Sequence, residues 1–257
     1  MKNNLILEFK RGLLSKKFFI AIFLNCLCLT IGIYSNRLAL LVDKGLILYY
    51  IGYLLTPGGI LSIFVPIIVT FPFAASFIED REKFFLRNLL IRESRLNYLV
   101  KKYLVTGFLG SLAISLPLLT LLLVNIIFLP KGNIQHITSG MSGAFSEVYN
   151  HSQLAYALLT IANAAIFGFI YANIGLMISF FIKNKVAAII SPFLLYILPS
   201  FFFIYLNLTP FEPSFTFQFN GQRDIRFFII VLEFLFLLIF SIIAGYIKFI
   251  KLDKDEV

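Results

Sequence analysis

Few residues in this 257-residue chain are of types that could do chemistry, and they stand apart from one another. Glu233 is the one acidic residue inside a predicted membrane span, and an ionisable group at that depth is costly enough to be a functional suspect. Arg226 lies about two helical turns away on the same face, so structural pairing, or snorkelling toward the surface, competes with a place in a transport path. Asn125, Asn163 and Asn173 also fall within spans, where hydrogen bonding between helices is the default role and a polar path the alternative. The only histidines, His136 and His151, share one loop that has no cysteine or carboxylate cluster at ligand spacing, so no metal site is predicted. Cys26 and Cys28 are two residues apart in an apolar run, where a helix turns them about 200° from each other, and they cannot pair together.

The motifs of common catalytic centres are missing. No GxxxxGKS/T, GxSxG, HExxH or CxxC pattern occurs. No catalytic residue and no cofactor of the chain's own is predicted, and any energy from ATP through a phosphate-binding loop must come from a partner.

The longest charged block, Glu79 to Lys102, lies between two stretches apolar enough to cross a bilayer. It carries Arg81, Lys83, Arg87, Arg92, Arg95, Lys101 and Lys102 against Glu79, Asp80, Glu82 and Glu93, which places it in the cytoplasm by the positive-inside rule. Its apolar residues Phe85, Leu86, Leu89 and Leu90 fall on one helical face, with Arg87 and Asn88 on the other. Such a helix either lies on lipid headgroups or docks into a groove of a soluble partner.

The elements around this block are those of an all-α polytopic membrane protein. The chain is 60% hydrophobic with 14% charged residues, whereas soluble domains carry about 25%. Its net charge of +9 is dispersed between apolar runs and forms no stripe, which points to membrane lipids and away from nucleic acid. Residues 1–17 predict an amphipathic helix on the cytoplasmic surface, with Leu5, Ile6, Phe9, Leu13 and Leu14 on its apolar face. Six spans follow, at about 18–34, 60–78, 103–128, 154–182, 186–208 and 227–247, in one transmembrane domain covering 1–257.

Between them, 38–55 predicts an interfacial or re-entrant helix, Lys131 to Gln153 a surface loop, and Thr209 to Arg226 a stretch with aromatic rings at headgroup depth. Pro66 and Pro72 predict a kink in the second span. Gly168 and Gly175, with Ala165 and Ala172, predict a seam for close helix packing. Basic residues concentrate before the first span, in the charged block, in the turn Lys183-Asn184-Lys185 and after the last span, which predicts a multi-pass cell-membrane protein with both termini cytoplasmic.

This layout resembles the membrane subunit of ABC transporters of the ABC-2 type. The residues that carry the resemblance are Arg81-Glu82-Lys83, Leu86, Leu89-Leu90, Ser94-Arg95 and Lys101, with Phe84-Phe85 where that family has Gly-Thr and Glu93 where it has Pro. The resemblance implies that Arg81, Glu82, Lys83, Phe85, Leu86, Leu89, Leu90 and Arg95 belong to a coupling helix that docks on a separate cytoplasmic ATPase, which would hold ATP and Mg. It further implies a second membrane subunit, as homo- or heterodimer, and export of a lipid, peptide, drug or glycan. An ion-coupled carrier would instead need paired intramembrane charges and internal repeats. A membrane hydrolase or structural immunity factor is the other alternative, and the lack of any histidine within a span weighs against the hydrolase.

Overall fold

Long apolar runs have no way to satisfy their backbone groups in lipid except internally, and helices result. The computed structural model describes residues 2–35, 59–82, 86, 91, 93–128, 144–206, 208, 211–217 and 227–251, and among these no strand occurs. The described helices, in chain order, are α1 (Lys2–Leu13), α2 (Lys16–Ser35), α3 (Ile60–Thr70), α4 (Ser76–Glu82), α5 (Arg95–Phe128), α6 (Ser146–His151), α7 (Gln153–Phe181), α8 (Lys185–Tyr205), α9 (Pro213–Phe217) and α10 (Phe227–Ile250). Five of them, α2, α5, α7, α8 and α10, are long and apolar enough to cross a membrane, which marks the chain as a membrane protein. Large apolar side chains stand exposed around the outside, among them Phe201, Phe202, Tyr205, Phe228 and Phe236, as a lipid-facing surface requires.

The second predicted span is not one helix. α3 has 11 residues, roughly 16 Å at 1.5 Å each, about half a hydrocarbon core. The chain then turns through Phe71 to Ala75 before α4 begins at Ser76. Pro66 is tolerated inside α3, whereas Pro72, having no N–H, cannot return a hydrogen bond to the carbonyl of Ile68 and the helix stops beside it. The Thr70 hydroxyl lies within hydrogen-bonding distance of the carbonyls of Pro66 (2.9 Å), Ile67 (3.0 Å) and Ile189 (3.0 Å), and the last of these brings α3 against α8. This broken element is central: α2, α5, α7 and α8 all pack on α3, and Leu61, Val65, Ile68 and Val69 are buried.

The other boundaries differ in ways that bear on the charged block. α5 starts at Arg95 and not near Tyr103, so Arg95 to Lys102 continue a membrane helix of 34 residues, roughly 51 Å long, and are no part of a separate surface helix. Within the loop predicted for Lys131 to Gln153, Ser146–His151 forms α6, and the ring of Phe145 before it packs on Phe227 at 5.2 Å. His136 and the stretch 38–55 lie outside the described residues. Asn184 accepts from the amides of Val186 (2.9 Å) and Ala187 (3.3 Å), a side-chain cap that lets the short turn start α8 directly.

Helix α7 lies at the centre and contacts α5, α10, α3 and α8. Asn25 on α2 donates to the carbonyls of Ala113 (3.0 Å) and Ile114 (3.3 Å) on α5, and Ser111 donates to Ala165 O at 2.6 Å, so polar side chains cross-link helices as the spans' composition predicts. The predicted small-residue seam divides between two neighbours. Gly168 faces the backbone of Gly110 on α5, and Gly175 faces Ala74 and Thr70 at the break after α3.

Candidate functional site

Two polar constellations lie at opposite ends of this bundle. The first is ionic. α2, α5 and α8 begin, and α4, α7 and α10 end, near one another, so the charges flanking the apolar runs converge. At its centre the Asp80 carboxylate, 1% exposed, meets Lys102 Nζ at 2.6 Å and Arg11 Nη1 at 3.0 Å, and accepts from the Tyr98 hydroxyl at 3.0 Å. Lys102 is fully buried, lies 3.3 Å from Glu8 Oε1, and sits 4.8 Å from the ring centre of Phe73. Two carboxylates, Glu8 and Asp80, thus balance two cations, Arg11 and Lys102.

Burial pushes the Asp80 carboxyl upward, but Lys102 and Arg11 outweigh it and hold the group below its ordinary value. Burial likewise lowers Arg11, and Asp80 and Glu8 more than restore it. Around this centre run ion pairs of Lys17 with Glu79, Lys185 with Glu82, and Lys101 with Glu93 (2.6 Å).

The amphipathic α1 is held by this cluster. Glu8 and Gly12 are buried, the latter against Leu109 of α5, and Phe9 and Leu13 pack on the core. Ile6 and Leu14, predicted on the same apolar face, stand exposed together with Leu7. The face turned to the bundle is therefore rotated toward Glu8 and Gly12, because two ion-pair partners on α4 and α5 draw it there.

The residues assigned to partner docking are distributed unevenly. Lys83, Phe85, Leu89 and Leu90 lie outside the described residues. Leu86 is fully buried in a cluster with Phe77, Tyr98, Tyr103, Phe180 and Phe249, so its side chain serves the chain's own core and presents nothing to a partner. Arg81 and Glu82 line a cavity of about 220 Å³ with Ser179 and Lys183, between α4 and the turn joining α7 to α8. Arg95 Nη1 donates to the carbonyl of Ile250 at 3.3 Å and closes the end of α10.

The second constellation surrounds Glu233. Within the stretch Thr209 to Arg226, predicted to place aromatic rings at headgroup depth, the described residues 211–217 pack partly on the bundle: Thr216 and Phe217 are buried, and the Phe217 ring packs at 4.8 Å on Phe167 of α7. Asn163 holds it, donating to the carbonyls of Thr216 (2.8 Å) and Phe217 (3.1 Å). The Thr216 hydroxyl reaches Pro213 O at 2.7 Å and Glu233 Oε1 at 3.5 Å. The structure thus joins Asn163 and Glu233 through Thr216. Arg226, one candidate partner for Glu233, lies outside the described residues. Among the described residues neither amide atom of the fully buried Asn173 nor Asn125 Nδ2 finds a hydrogen-bond partner, and neither side chain joins the Glu233 group.

Asn163→Ala is expected to free this segment. It removes two partly buried hydrogen bonds worth about 0.5–1.5 kcal/mol each and leaves two carbonyls without that donor. Limited proteolysis should then cut within 211–217 faster than in the wild type, with the rest of the digestion pattern unchanged.

Among the described residues no group of three or more potential metal ligands occurs. The buried ionic cluster escaped the sequence analysis because Glu8, Arg11, Asp80 and Lys102 each read as an ordinary flanking charge. The available signal was that charges of opposite sign adjoin the ends of successive apolar runs, a pattern shared by many membrane proteins. No protein-family model matches this chain, and no curated protein matches it.

Proposed function

We propose that the chain is the membrane subunit of an ATP-driven exporter of the ABC-2 type, energised by a separate cytoplasmic ATPase and paired with a second membrane subunit. Its cargo is a lipid, peptide, drug or glycan. In this reading α3, the turn and α4 together make a sixth crossing, α1 lies at the inner surface of the cell membrane, and the ionic end of the bundle, with both termini, is cytoplasmic.

The observation that carries the reading is how segment 83–94 is anchored. Just before it, Glu79, Asp80 and Glu82 are ion-paired to Lys17, Arg11, Lys102 and Lys185. Just after it, Arg95, Lys101 and Lys102 are bonded to α10, Glu93 and Asp80. A partner that pushes on this segment would therefore move α4 and α5 together, and with α4 the break next to α3. Discontinuous helices in the middle of a bundle are where secondary transporters build their binding sites, around which whole helix groups rock.

The test is docking. Replacing Leu89 and Leu90 together with Asp is expected to abolish co-purification of an ATPase with the tagged chain, because burying each leucine contributes roughly 1.5–3 kcal/mol and a carboxylate there opposes it. Asn88→Asp is expected to leave the complex intact. Membrane insertion and yield of the variants are followed in parallel. Retention of the ATPase at the wild-type ratio by a normally inserted double variant, or absence of any ATPase from the wild-type preparation, sinks the proposal.

A further inference from the structure

At the end of the bundle opposite the ionic cluster, α7, α8, α9 and α10 enclose a cleft of about 440 Å³, within the roughly 300–1,000 Å³ typical of small-molecule sites. Its walls are Tyr171, Pro199, Phe203, Leu232 and Phe236 with their neighbours, and Glu233 is the single charged group among them. We infer that this cleft binds an amphiphile with a primary ammonium head on an alkyl or acyl chain, the head at the Glu233 carboxylate and the chain along the aromatic and aliphatic wall.

Three observations converge on that class. Glu233 Oε2 is buried with no hydrogen-bond partner, and Oε1 has only the Thr216 hydroxyl at a long 3.5 Å, so the carboxylate keeps acceptor capacity that nothing in the described chain fills. Among the described residues no cation pairs with this carboxylate; a carboxylate left so is unfavourable at membrane depth, and a cationic donor is the complement that satisfies it. Apart from the Tyr171 hydroxyl the rest of the lining is apolar, which suits a hydrocarbon chain and disfavours a sugar or a polar peptide, whose many hydroxyls and amides would go unpaired there. Finally, Leu232 and Phe236 on the rim are exposed on the outer surface of the bundle, so a chain enters sideways from the hydrocarbon phase. Asn163 takes a positioning role, since it fixes α9 and with it the Thr216 hydroxyl beside the carboxylate.

The inference stands on the cleft alone and is tested without any ATPase or transport. The chain contains no tryptophan, so Phe203→Trp supplies a lone reporter in the cleft wall. The Phe203→Trp protein in phosphatidylcholine nanodiscs is titrated at neutral pH, where an alkylamine is protonated, with bromodecylamine, with bromodecanol, and with phosphatidylethanolamine bearing brominated acyl chains.

Bromodecylamine is expected to quench with an apparent affinity at least about tenfold above bromodecanol, the ratio for one charge-assisted contact. Glu233→Gln on the reporter background should erase that preference while leaving the bromodecanol curve in place, which also shows the cleft intact. Glu233→Asp, which keeps the charge but withdraws it by one methylene, should weaken the amine alone. Quenching by the brominated phosphatidylethanolamine with the same dependence on Glu233 identifies a membrane lipid as the source, and quenching by the free amine only identifies a hydrophobic amine. Equal affinities of amine and alcohol in the reporter protein, a preference that survives in Glu233→Gln, or one that is undiminished in Glu233→Asp, overturns the inference.

Discussion

Lys102→Met is expected to destabilise the folded chain by about 3–5 kcal/mol, the cost of leaving one member of a buried ion pair without the other. Asp80 is 1% exposed and would keep only Arg11, a half-exposed partner, and the Tyr98 hydroxyl, while Glu8 would lose its nearest cation. Asp80→Asn/Lys102→Met should recover part of the loss, because removing both charges also removes the desolvation that each imposes. Denaturant unfolding in mild detergent measures all three variants. A Lys102→Met cost under about 1 kcal/mol, typical of exposed pairs, would show that the cluster is not coupled as its geometry implies.

The same cluster fixes a pH profile. Asp80 titrates below its ordinary value, so its contribution is fully present above the unfolded carboxyl value of about 3.9 and is lost as pH falls through the lower folded value. Between about pH 5 and 8 this contribution should be flat, and the acid limb should shrink in Asp80→Asn.

Much of the helical layout was legible in the amino-acid order because hydropathy alone decides it. A run such as Phe227 to Ile247 has no soluble alternative, and the described helix Phe227–Ile250 follows it with three residues added at one end. The break after Thr70 was only half legible. Two prolines announced a disturbance, but not that the helix carries Pro66 and stops beside Pro72, nor that Thr70 there meets Ile189 O, on a helix more than a hundred residues away in sequence. The place of Leu86 in the charged block was ambiguous for a related reason. Leu86 sits on a helical stripe equally suited to a partner or to the chain's own core, and periodicity cannot say which surface covers it; Phe77, Tyr98 and Phe249 do. The alternation of aromatic and polar residues over 209–226 suggests an interfacial stretch but does not tell that part of it packs on α7. The side chain that draws it inward, Asn163, lies over fifty residues earlier, and nothing local distinguishes it from Asn125 or Asn173.

Gly110→Leu is expected to prevent native packing, and Gly110→Ala to cost about 1–3 kcal/mol, the usual penalty for forcing extra volume into a filled core. A Cβ at this position would lie 2.6 Å from the carbonyl oxygen of Gly168 and 3.0 Å from that of Val69. Both are backbone atoms on other helices, so relief requires α5 to move away from α7 and α3 at once. A rotamer change could not supply it.

The comparison that isolates this effect is Gly107→Ala, one turn earlier. There the new methyl group meets the ring of Phe169, a side chain that can swing aside, and the cost should be smaller. Because Val69 precedes the break in the second apolar run, the Gly110 variants should also loosen that element. A disulfide engineered between α3 and α5 should therefore form more slowly in Gly110→Ala than in the wild type or in Gly107→Ala. Equal unfolding midpoints and equal cross-linking rates for the two alanine variants would mean that the three backbones do not meet at Gly110.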